Sequence, residues 1–134
     1  MPQDPKKTIR LLSDHIFRLN ISTYLLSEQF TRFCREQDID DMWEGLLRLS
    51  NDSPDLYDSD VAKNAFSLLL EQIYRMRKDE FPGILAGLLA DFSGAVPSPF
   101  IFRTIKGDLI QLGYPGKDME DIFLKRKNNR NRHI

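Results

Sequence analysis

The sequence predicts an all-α protein: a compact bundle of about five helices followed by a short helix-turn-helix appendage. Three observations carry this expectation. Apolar residues recur at three- and four-residue spacing along nearly the whole chain, and strict alternation is almost absent. Glycine, proline and cap-forming residues fall between the periodic segments rather than within them. At 134 residues, with 41% hydrophobic and 29% charged residues, the chain has the size and composition of one globular domain. Residues 1–134 are therefore read as one domain: a helical body over 1–94, a helix-turn-helix over 103–127 and a polar basic tail over 128–134.

The first helix is expected from Asp4 or Pro5 to Leu19, with proline in its first turn and a stripe of Ile9, Leu12, Ile16 and Leu19. Asn20 ends it. Ser22 or Thr23 can cap a second helix with the stripe Leu25, Leu26, Phe30, Phe33 and Cys34. Asp38 or Asp40 can cap a third, carrying Met42, Trp43, Leu46, Leu47 and Leu49. The run Ser50–Asp55 reads as a loop, since each residue offers turn chemistry. From Asp60 to Lys78 runs the longest predicted helix, capped by Asp58 or Ser59. Its face is Val61, Ala65, Leu68, Leu69, Ile73 and Met76, widened by Phe66 and Leu70, which suits a central position. Pro82 opens a fifth helix and Gly94 closes it, with Ile84, Leu85, Leu88, Leu89 and Phe92 between them. Two prolines make residues 95–102 read as an extended crossover. Two short helices are expected after it, from Asp108 to Leu112 and from Lys117 to about Lys127, with Gly113 in a left-handed conformation between them.

Cys34 is the single cysteine, so no intramolecular disulfide can form, and its place on an apolar stripe predicts a structural thiol. No segment reaches the ~18 apolar residues that span a bilayer, and no apolar core of signal-peptide kind follows the first residues. No membrane association and a cytoplasmic setting are the expectation. The net charge of −1 hides a division: Lys125, Arg126, Lys127, Arg130 and Arg132 close the chain without an acid, while residues 1–124 hold 14 basic and 20 acidic residues. Between Glu36 and Asp60 lie nine acids and one base, Arg48. Asymmetry of this kind speaks of partners rather than of fold.

Catalytic chemistry finds little support. The two histidines, His15 and His133, do not make the three-ligand set of a catalytic zinc site, and His15 reads as a helix-surface or partly buried side chain. Asp52–Asp60 fits no register of a calcium loop, and Pro54 interrupts the best one. Gly116-Lys117 fails as a phosphate-binding loop, because Gly113 is three positions before Gly116 and Asp118 stands where a hydroxyl residue is required. An enzyme would need carboxylates such as Asp79, Glu80 or Asp91 to converge in a pocket. The expectation is a non-catalytic protein with no cofactor and no metal.

Residues 104–127 form the one segment with a functional shape. Leu109, Leu112, Met119, Ile122 and Phe123 supply contacts between two helices, and Gly113 and Gly116 are expected to leave amides uncovered at the turn. Free amides at a helix N-terminus bind anions, Lys106 and Lys117 flank the turn, and the basic tail comes directly after. Gly107, Asp108, Leu109, Leu112, Gly113, Pro115, Gly116 and Ile122 resemble a stretch in the C-terminal helical region of class II tRNA nucleotidyltransferases, the CCA-adding enzymes. The turn is about one residue shorter than in that family, and Glu120 stands where it has a small residue. The segment is also similar to a helix-hairpin-helix. Both resemblances imply a module that holds nucleic-acid backbone; the first implies RNA, held without the catalytic head.

Two functions are therefore expected. The first is a helical module binding RNA or other nucleic acid through Lys106, Gly113, Gly116, Lys117, Lys125, Arg126, Lys127, Arg130 and Arg132. The alternative is a protein-interaction module, an adaptor, immunity-type protein or regulatory subunit. It would meet a basic partner through the acidic 36–60 face, with Asp40, Asp41, Trp43, Asp55, Tyr57 and Asp58 as contacts and Tyr74 as a further aromatic anchor if exposed.

Overall fold

The computed structural model describes residues 4–50, 59–93 and 99–117, which form seven α-helices and no strand among the described residues. Helix α1 (Pro5–Phe17) begins as its sequence dictates: Asp4 accepts the Lys6 amide at 3.1 Å, and Pro5 occupies the first turn. Ile9, Leu12 and Ile16 are buried together with Thr8 and Ser13. Asn20, at φ +59°, turns the chain out of the helix, a conformation its short polar side chain tolerates.

The expected second helix is two helices, α2 (Ser22–Leu25) and α3 (Glu28–Glu36). Ser27 divides them. Its hydroxyl donates to the Tyr24 carbonyl at 2.6 Å and accepts the Phe30 amide at 3.4 Å, so one side chain closes the first helix and caps the next. Leu26 is thereby turned to solvent, off the stripe that its spacing predicts. Asp38, at φ +62°, ends α3 instead of capping the next helix. The Asp38 amide bonds the Arg35 carbonyl at 3.1 Å and the Ile39 amide bonds the Cys34 carbonyl at 2.8 Å, the paired bonds of a Schellman turn.

Helix α4 (Asp40–Ser50) carries Trp43 and Leu46 into the core. Helix α5 (Ser59–Met76) is central, packed against α1, α2 and α4. Its buried face is Ala62, Ala65, Phe66, Leu69, Leu70 and Ile73, whereas Leu68 and Met76, expected on that face, are exposed. Helix α6 (Phe81–Ser93) is buried over most of its circumference and packs on α3.

The largest departure from expectation is α7 (Pro99–Gln111), which starts nine residues before the predicted Asp108. Residues 99–102 are helical rather than extended. A proline at a first helical position loses no hydrogen bond and has its φ already set, so Pro99 starts a helix where it reads as a breaker. Ile105 and Leu109 are fully buried and Leu112 nearly so, packed antiparallel on α1. The first helix of the C-terminal pair is thus part of the one core. The second expected helix lies outside the described residues after Lys117, as do residues 94–98, Ser50–Asp55 beyond position 50, and the tail.

Candidate functional site

At the end of α7 the chain makes a second Schellman turn. Gly113 sits at φ +102°, its amide bonded to the Ile110 carbonyl at 3.0 Å, and the Tyr114 amide bonds the Leu109 carbonyl at 3.1 Å. The Gly113 amide, expected to be open to an anion, is therefore used within the helix cap. Gly116 is closely approached: a Cβ there would lie 3.1 Å from both Ile110 Cδ1 and Lys106 Cε, so these two side-chain ends would have to give by a few tenths of an ångström. The aliphatic stem of Lys106 thus runs across Gly116, which brings the two lysines of the predicted site, Lys106 and Lys117, to one turn.

Aromatic residues fix this turn to the body. Tyr114 donates its hydroxyl to the Lys78 carbonyl at 2.6 Å, and Tyr74 donates to the Leu112 carbonyl at 3.2 Å. The rings of Tyr74, Phe81 and Tyr114 pack together, with centroids 5.8–6.2 Å apart. Burial first, then Tyr74 and Asp79, push the Tyr114 hydroxyl above its ordinary pKa, so it remains a donor. Lys78 Nζ lies 5.3 Å from the Tyr74 ring centroid, a cation–π distance. Among neighbouring acids, Glu80 accepts from Arg77, which holds its carboxyl below the usual range. Arg77 also donates to the Gln37 carbonyl and so ties this corner to the end of α3. Lys78, Lys106 and Lys117 therefore surround a pinned turn; Lys125, Arg126, Lys127, Arg130 and Arg132 lie outside the described residues.

The alternative face fares differently. Asp41 is exposed and Asp40 half-buried, but Trp43 is 2% exposed and packs edge-on to Phe30 at 5.1 Å. Trp43 is a core residue and not a surface anchor, in keeping with its position on the stripe with Leu46. Asp55, Tyr57 and Asp58 lie outside the described residues. Asp79, Glu80 and Asp91 do not converge: Asp91 accepts the Tyr24 hydroxyl at 2.5 Å, while Asp79 and Glu80 are exposed at the corner between α5 and α6. Among the described residues no group of three His, Cys, Asp or Glu is placed to hold a metal. Cys34 is buried, and desolvation, with Asp40 adding, pushes its thiol up to about 12.

One pairing has no sequence signal. His15 Nδ1 lies 2.6 Å from Asp108 Oδ2, joining α1 to α7 across 93 positions. Beside this pair a groove of about 450 Å³ runs between the two helices, lined by Leu19, Phe100, Ile101 and Ile105. His15, Arg18 and Thr104 also line it.

Comparison with protein-family models, curated proteins and solved structures gives no match. Among the described residues no helix is long and apolar enough to cross a membrane.

Proposed function

We propose that the chain is a nucleic-acid-binding module that grips RNA backbone with the cations around the end of α7 and those that come after it in the chain. The observation that carries this reading is the pinned turn over 112–117. The two tyrosine hydrogen bonds and the cap anchor it beside Lys78, so a fixed turn carries Lys106 and Lys117, and in the sequence the five cations of 125–132 come after it. Polyanion binding by lysine and arginine needs cations concentrated in one place rather than a shaped pocket. In this reading the glycines build the turn and the side chains hold phosphate; the Gly113 amide takes no part.

The test is a fluorescence-anisotropy titration of labelled tRNA and of a DNA duplex with the full chain at about 50 and about 200 mM salt. With about five phosphate contacts, affinity should fall by about two to three orders of magnitude between those concentrations. Replacing Lys125, Arg126, Lys127, Arg130 and Arg132 with glutamine should remove most of that salt dependence. Absence of binding at the lower salt, or an unchanged affinity in the five-fold variant, overturns the reading.

A further inference from the structure

The groove between α1 and α7 lies away from the basic turn. Thr104 and Gly113 are separated by roughly 14 Å along the helix axis, so the two places are distinct surfaces. Its volume, about 450 Å³, is large enough for a small molecule. Phe100 is 77% exposed at its edge, a large apolar side chain for which burial by an occupant would be favourable.

The polar lining residues are His15, Arg18 and Thr104. Arg18 makes no ion pair among the described residues; the acid one turn before it, Asp14, lies 3.5 Å from Lys63. His15 Nδ1 is engaged by Asp108, which leaves Nε2 as the ring atom able to meet an occupant. Asp108 is only 8% exposed and does not line the groove, and among the described residues that line it there is no acid. Thr104 donates its hydroxyl to the Phe100 carbonyl at 3.1 Å and retains only acceptor capacity. A lining that combines Leu19, Phe100, Ile101 and Ile105 with a guanidinium and an imidazole matches a ligand with a negative head and an apolar body. A guanidinium pairs with carboxylate in a planar, two-bond geometry, and the apolar lining has nothing to offer a purely polar anion.

We propose that this groove is a binding site for a small monocarboxylic acid with an acyl or aryl body, its carboxylate on Arg18 and His15 and its apolar body on Leu19, Phe100, Ile101 and Ile105. A protein that binds nucleic acid at the end of α7 would then carry a separate small-ligand site on the same helix.

The experiment is a titration of the full chain by calorimetry and by methyl NMR, with three probes. Octanoate carries both head and body, octan-1-ol has the body without the charge, and inorganic phosphate has charge without the body. The expected result is saturable binding of octanoate that shifts the Ile101 and Ile105 methyl signals, with octan-1-ol at least tenfold weaker and phosphate without effect there. Arg18→Gln, at an exposed position, should weaken octanoate roughly tenfold without changing the melting temperature. Phe100→Ala should weaken octanoate and octan-1-ol alike. No saturable octanoate binding, equal binding of octan-1-ol, stronger binding of phosphate, or an unchanged Arg18→Gln variant overturns the proposal. None of these outcomes depends on whether tRNA binds.

Discussion

The contact between His15 and Asp108 shows what a single pair of side chains does in this fold. Asp108 is buried on α7, and burial raises its carboxyl pKa against the lowering effect of His15. A carboxyl whose folded pKa lies above its unfolded value costs no stability below the unfolded value. The cost grows as pH rises through the folded pKa and is complete above it. The imidazole 2.6 Å away offsets that cost. His15→Ala should therefore destabilise by about 2 kcal/mol near neutral pH, because it leaves the buried Asp108 carboxyl without its partner. At acidic pH, where the raised pKa favours the protonated carboxyl, the loss should be smaller. Urea unfolding of both proteins at the two pH values checks this, and an equal loss at both rejects the assigned role. Nothing in the sequence points to this pair. Periodicity identifies the buried face of α1 through Ile9, Leu12 and Ile16, but it cannot tell which helix that face will meet.

At the scale of elements, what is legible depends on whether the stop signal is local. Pro5 in the first turn of α1 and Gly113 in a left-handed conformation are read from residue chemistry alone, and the structure places each as expected. Ser27 and Asp38 are not distinguishable from ordinary helix-surface or capping residues, because either role uses the same side-chain oxygen. Pro99 misleads for a related reason: a proline is equally compatible with an extended segment and with a first helical turn. The two Schellman turns offer a direct comparison, since one holds Asp38 and the other Gly113 at the positive-φ position. Gly113→Ala should cost about 1 kcal/mol, as a Cβ is disfavoured at that φ whatever the surrounding space. Gly113→Asn should cost less, because asparagine tolerates the left-handed region that Asp38 already occupies. Thermal melts of the two variants rank them; a larger loss for asparagine than for alanine contradicts the assignment of backbone strain.

Across the whole molecule, the question is whether α7 and its turn belong to the same cooperative unit as the rest. The all-α class is legible because apolar spacing is a property of each segment, whereas which segments share a core is not, since that depends on how the helices meet. Ile105, Leu109 and Leu112 share one core with residues from α1 to α6, and Tyr74 and Tyr114 bond across the junction of α5 with the final turn. Leu109 is fully buried, so Leu109→Ala should cost about 2–5 kcal/mol, through lost transfer energy and the cavity left behind. The single tryptophan makes the extent of that loss measurable, since Trp43 sits on α4 against Phe30 while Leu109 sits on α7. If the chain is one unit, tryptophan fluorescence and far-ultraviolet dichroism will report the same lowered midpoint in the variant. A detachable appendage would instead lose part of its helicity early, while Trp43 kept the midpoint of the unsubstituted protein. Coincident transitions would also mean that a ligand held between α1 and α7 stabilises the entire fold, because anything binding only the folded chain raises the common midpoint.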